Sequence, residues 1–322
     1  MQKVEWPELQ LSLSKLAFGC APVMGRVGRR QALDAMAMAY EHGVTHFDVA
    51  RAYGFGEAER VLGRFIADKR DKVTVATKFG ILPARIGRAA CMLKPVVRTA
   101  RQWVPALAGA VRKASGAMLT KGYYGLDEAQ RSIETSLREL NTEVIDILFV
   151  HECSSDDDIQ PALVDFLDRF CREGKIRAWG LATHAKDIEQ VSRQMGESPK
   201  IIQYAWGDQP PHFGATTRRI VHSPISFTSR LYATDGSLLP WVVSWGKGHD
   251  IQAVQLPQLL PALALGSAAI ENPDSVILCS MFRRSSVLSN VQALAVNETI
   301  QELSASFLRM IRSMGELNTD TR

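Results

Sequence analysis

Short apolar runs alternate with helix-spaced segments along nearly the whole chain, and this rhythm limits the folds open to it. Strand-like runs occupy residues 16–18, 44–49, 73–77, 144–150, 176–182, 200–204, 219–223 and 276–280. Helical spacing follows nearly all of them, at 29–42, 57–69, 126–140, 161–172, 187–195, 251–269 and 285–294, with a last helix at 297–314. Strands that alternate with helices make a parallel sheet. Eight such units over 322 residues predict an α/β fold closed as a (β/α)8 TIM barrel, one domain spanning 1–322. An open doubly wound sheet should carry a G-x-G-x-x-G turn after its first strand, and the segment from Gly19 to Gly25 lacks that spacing. Residues 2–15 alternate around Pro7 and predict an N-terminal hairpin. Between 204 and 219 no helix is legible.

The net charge of +4 is small and uneven. From Arg85 to Lys121 there are eight Lys or Arg and no Asp or Glu, so the rest of the chain is net acidic. No whole-protein affinity for nucleic acid follows. Five scattered cysteines without a C-x-x-C pair suggest reduced thiols. The first residues lack a signal-like apolar stretch, and no apolar run is long enough to span a membrane, so a cytoplasmic protein is expected.

Asp48, Tyr53, Lys78 and His151 all lie at or just past the ends of successive strand candidates. In a parallel barrel such positions converge on one face. Reducing a carbonyl needs a hydride donor and a proton donor for the nascent alkoxide. A free tyrosine, with a pKa of about 10, is a slow acid at neutral pH, and a nearby ammonium should lower that value. Asp48 can hold Lys78 charged, and His151 can polarise the carbonyl oxygen. Each residue alone has an ordinary structural reading: a turn cap, a loop aromatic, a solvated charge. Their shared placement favours the catalytic one. His151, Glu152 and Cys153 have no further partner at metal-ligand spacing, so no metal is expected.

At these residues the chain resembles the aldo-keto reductase family. The stretch from His46 to Glu57 (HFDVARAYGFGE) is similar to that family's second-strand signature, Val75 to Gly80 (VATKFG) to its lysine strand, and Arg131 to His151 to its third helix and fourth strand. The resemblance implies a (β/α)8 barrel, extended NADP(H), and Tyr53 as acid–base group assisted by Lys78, Asp48 and His151. It also implies cofactor contacts. The family's fifth strand usually ends Gly-Val-Ser-Asn; here it reads Gly180, Leu181, Ala182, Thr183, which leaves Thr183 to meet the nicotinamide carboxamide with fewer hydrogen bonds. Gln203 matches a second carboxamide partner. Ser280, Arg284 (or Arg283) and Asn290 match the segment that clamps the adenosine phosphate, and paired guanidiniums there suit NADP(H) over NAD(H).

The resemblance thus implies an oxidoreductase interconverting an aldehyde or ketone and its alcohol, with a small carbonyl compound or a sugar as substrate. Phe18, Phe79 and Trp206 are candidates for an apolar wall. The rival from another class is a cofactor-binding sensor of the same fold with little turnover. Residues 81–125 form an insertion after the third strand, helical in spacing from Leu93 to Val111 despite Pro105. It is read as an extra helix on the barrel rim. Its cations are alternatively a surface for an anionic partner.

Overall fold

The computed structural model describes residues 1–83, 120–207, 216–295 and 297–319. The chain opens with an antiparallel hairpin, β1 (Lys3–Trp6) and β2 (Leu11–Ser14), joined through a 3-10 turn at Pro7–Leu9. Eight parallel strands then close a barrel: β3 (Leu16–Gly19), β4 (His46–Asp48), β5 (Thr74–Phe79), β8 (Ile145–His151), β9 (Ile176–Ala182), β10 (Ile201–Ala205), β11 (Arg218–His222) and β12 (Val276–Cys279), with β12 pairing back to β3. Between β5 and β8 a two-residue ribbon pairs β6 (Ile81–Leu82) with β7 (Thr120–Lys121). The ribbon brings the two ends of the insertion together. The helix expected within the insertion lies outside the described residues.

The helices are α1 (Arg29–Glu41), α2 (Ala58–Ile66), α3 (Leu126–Leu140), α4 (Ala162–Arg172), α5 (Ala185–Gln194), α6 (Pro224–Phe227), α7 (Pro240–Lys247), α8 (Leu256–Glu271), α9 (Arg284–Ala293) and α10 (Glu298–Thr319). They wrap the barrel because each buries one stripe. In α3 that stripe is Ala129, Ser132, Ile133, Ser136 and Leu140, at the three- and four-residue spacing of a helix. Two expectations change. The helix expected from 251 begins at Leu256, after a short loop, where Pro257 occupies the first turn and has no amide of its own to leave unpaired. A separate helix, α7, lies between β11 and α8, where the sequence reading places no element. Its start is also set by a proline in the first turn, and it buries Val242 and Trp245.

Strand alternation sorts the residues between two cores. Outward positions such as Phe47, Val75, Leu148, Trp179 and Ile202 meet the helices. Inward positions, among them Ala76, Ile147, Phe149, Ala178, Ile201, Ile220 and Leu278, fill the barrel. The hairpin closes its floor: Val4, Trp6, Leu11 and Leu13 pack into the same inner cluster, and the Trp6 indole donates to the Asp274 carbonyl at 3.4 Å.

One inward position requires glycine. A Cβ on Gly180 would lie 1.9 Å from the carbonyl oxygen of Ile201, its partner on β10. Gly180→Ala should therefore force two paired strands apart, costing about 2 kcal/mol or more. Thermal unfolding of the variant should show a Tm several degrees below that of the parent; an unchanged Tm would contradict the close approach.

Candidate active site

The alternation that fills the barrel also builds the site. Lys78 shares its face of β5 with Ala76, and His151 shares its face of β8 with Ile147 and Phe149. Asp48 closes β4, and Gln203 lies on β10 two residues beyond Ile201. All four side chains therefore point inward at the C-terminal end of the strands. Tyr53 arrives on the loop after β4, in a 3-10 turn at Tyr53–Gly56.

A cavity of about 540 Å³ opens at this end. Asp48, Tyr53, Lys78, His151, Thr183, Gln203 and Ser280 all line it. Lys78 Nζ makes a short ion pair with Asp48 Oδ1, and both side chains are 2% exposed. The same ammonium donates to the Val49 carbonyl at 3.1 Å. Gln203 Nε2 donates to the other Asp48 oxygen at 2.8 Å. Lys78 Nζ stands 5.3 Å from the centre of the Tyr53 ring, and the Tyr53 and His151 rings meet edge to face at 6.0 Å. The Tyr124 hydroxyl donates to the His151 carbonyl at 2.9 Å and fixes the end of β8.

The electrostatics differ from the sequence expectation at one point. Burial, with Asp48, Glu152 and Cys20 adding, holds the Tyr53 phenol well above its ordinary value. The Lys78 ammonium, paired with Asp48, does not outweigh that burial. Tyr53 is therefore a neutral phenol, an acid with its proton in place. Burial, helped by Lys78, Lys121 and His222, holds His151 well below the ordinary imidazole value, so it is neutral too and has one N–H to donate.

The remaining candidates divide. Thr183 Oγ1 donates to the Cys153 carbonyl at 2.6 Å, and Ser280 Oγ donates to the Gly19 carbonyl at 3.0 Å. Arg283, Arg284 and Asn290 do not line this cavity. Arg284 borders a neighbouring hollow beside Arg29, Arg30 and Phe282, Arg283 is exposed, and Asn290 is buried with its amide directed at the Met281 sulfur. The apolar wall expected from Phe18, Phe79 and Trp206 is absent from the cavity lining. Phe18 and Phe79 sit at outward positions in the helix-facing core, and the Trp206 indole is turned to Glu271 Oε2 at 2.8 Å. The apolar lining comes instead from Ala182, Ala205, Ile225 and Leu278.

Sequence reading passed over Arg26, His184 and His222, which also line the cavity, as does Glu152, weighed only as a metal ligand. His222 ends β11, so the strand-end rule that found His151 reaches it as well. Glu152 adopts a left-handed backbone, φ 51°, and pairs with Lys121 at the foot of the ribbon.

Comparison with known proteins identifies the family. The model of the aldo/keto reductase family matches residues 15–206. The chain is 28% identical over 148 residues to pyridoxal 4-dehydrogenase of Microbacterium luteolum, covering 44% of this chain and 40% of that protein. It is 26% identical over 206 residues to an NADH-specific methylglyoxal reductase of Escherichia coli, covering 61% and 56%. The matched region spans about half the length of the curated relatives. Among solved structures, an aldo/keto reductase from Klebsiella pneumoniae in complex with NADP and acetate superposes with a TM-score of 0.63 at 20% identity, covering 95% of both chains. With its family match running through the strands that carry Asp48, Lys78, His151 and Gln203, the chain belongs to the aldo/keto reductase family.

Proposed function

We propose that this protein is an NADP(H)-dependent oxidoreductase that interconverts a small aldehyde or ketone and its alcohol. The observation that carries the reading is the convergence of Tyr53, Lys78, Asp48 and His151 on one cavity at the C-terminal end of the barrel.

The residues present fit a nicotinamide. Because a carboxylate only accepts, the Gln203 amide nitrogen is fixed toward Asp48, which leaves its Oε1 as an acceptor. Thr183 spends its hydroxyl proton on Cys153 and keeps acceptor capacity only. Both can receive the N–H groups of a carboxamide. Arg284, with Arg29 and Arg30 around the neighbouring hollow, and exposed Arg283 suit a phosphate. Ser280 lies in the connection from β12 into α9, and Asn290 within α9 itself. The Klebsiella structure holds NADP, whereas the Escherichia coli relative is NADH-specific, so both cofactors belong in the test.

The bound reduced cofactor supplies the hydride. His151, neutral, donates a hydrogen bond to the substrate oxygen and holds the carbonyl in place. Tyr53 hands its proton to the oxygen as charge develops there. Lys78 then stabilises the phenolate left behind, and Asp48, clamped by Gln203, keeps that ammonium charged and aimed. In the reverse direction the phenolate accepts the alcohol proton.

Titration with NADPH and NADH, read by quenching of protein fluorescence, should show saturable binding tighter for NADPH. Absorbance of the reduced nicotinamide should then fall when aldehydes or sugars are added. Binding without turnover on any carbonyl compound would favour the sensor reading, to which the committed hydroxyl of Thr183 lends support.

A further inference from the structure

We infer that Arg26 is a specificity residue that selects carbonyl substrates carrying a carboxylate or phosphate group; the inference rests on the oxidoreductase reading above. The cavity leaves one cation without a paired carboxylate among the described residues. Its lining holds two cations, Arg26 and Lys78, and two carboxylates, Asp48 and Glu152. Lys78 is paired with Asp48, and Glu152 with Lys121 at the rim. Among the described residues, no carboxylate pairs with Arg26. The site thus keeps one guanidinium with its donors unspent, beside a neutral phenol and a neutral imidazole.

Local structure fixes the backbone beneath Arg26, whose side chain is exposed at the mouth of the cavity. The loop after β3 is closed by backbone hydrogen bonds: Met24 N to Val27 O at 2.8 Å, Val27 N to Pro22 O at 2.9 Å, and Cys20 N to Asp48 O at 2.8 Å. Val23 and Val27 are buried on either side of Arg26. The loop also rests on the turn that carries Tyr53. A Cβ on Gly54 would lie 2.4 Å from the Val23 carbonyl and 2.7 Å from Met24 Cβ, and at φ 59° that position takes glycine. Arg26 and Tyr53 therefore belong to two loops locked against each other over one cavity.

The rest of the lining suits such a substrate. Phe18, Phe79 and Trp206 face away, and His184, His222 and Ser223 supply polar surface. A guanidinium binds carboxylate or phosphate through parallel hydrogen bonds, and these are strong where water is partly excluded.

The test compares matched substrates: p-carboxybenzaldehyde against benzaldehyde, and glycolaldehyde phosphate against glycolaldehyde. The parent should prefer the anionic member of at least one pair by about 10- to 100-fold in kcat/KM. Which pair responds identifies carboxylate or phosphate. Arg26→Gln should collapse that preference, chiefly through KM, and Arg26→Lys should restore part of it. Equal rates for both members in the parent, or a preference that survives Arg26→Gln, would overturn the inference. So would a matching loss of NADPH affinity in Arg26→Gln, which would assign the cation to the cofactor's phosphates. If no aldehyde is reduced at all, the oxidoreductase reading fails on its own. Calorimetry with p-hydroxymethylbenzoate then decides the anion site, by binding to the parent and not to Arg26→Gln, or by no difference between them.

Discussion

Tyr53→Phe should lower kcat/KM for carbonyl reduction by about 10²- to 10⁴-fold while NADPH binds as before. The substitution deletes one hydroxyl and leaves the ring, so the edge-to-face contact with His151 and the approach of Lys78 persist. What goes is the only proton positioned for the alkoxide in this scheme. The sign of the pH effect follows from the raised phenol pKa. The protonated form is the acid, so reduction in the parent should hold steady through neutral pH and fall only as the medium becomes strongly alkaline. Oxidation of the alcohol needs the phenolate and should climb over that same range. Pre-steady-state reduction by Tyr53→Phe at the parent's rate would remove Tyr53 from the chemistry.

The second large effect concerns stability as much as rate. Lys78→Met keeps the length of the side chain and removes its charge, which strands Asp48 in the barrel at 2% exposure. Breaking a buried pair from one side costs about 3–5 kcal/mol, more than the pair itself contributes. Denaturant midpoints should therefore drop sharply for Lys78→Met. The double variant Asp48→Asn/Lys78→Met should recover much of that loss, because no uncompensated charge remains. Activity should not return in the double variant, since the phenolate formed in the reaction still lacks its ammonium. If the double variant is as unstable as the single one, the pair matters through packing and not through charge.

These two residues also mark what was legible in the sequence. Period-two alternation and strand ends are local signals, so Asp48, Lys78 and His151 could be placed before any coordinates. The closing of eight strands was legible for the same reason, since alternation with helices repeats along the chain. Side-chain direction beyond the strand ends was not. Phe18, Phe79 and Trp206 look like pocket residues by proximity in sequence, yet the two phenylalanines fall on outward positions of their strands and the Trp206 indole is satisfied by Glu271. The protonation of Tyr53 was also out of reach. It depends on how deeply the ring is desolvated and on how close Asp48 and Glu152 come to it, both matters of three-dimensional distance. Arg26 escaped notice because nothing in a loop of glycine, proline and small apolar residues announces a cation at the mouth of the cavity.

The floor of the barrel has a consequence for the order in which the molecule can be made. Trp6 precedes by 268 residues the Asp274 carbonyl that it binds, and the cluster it joins includes Val276 and Leu278. The hairpin thus has no complete seat until the closing strand has been synthesised. During translation its indole and leucines must wait exposed, and their docking reports that the barrel has closed.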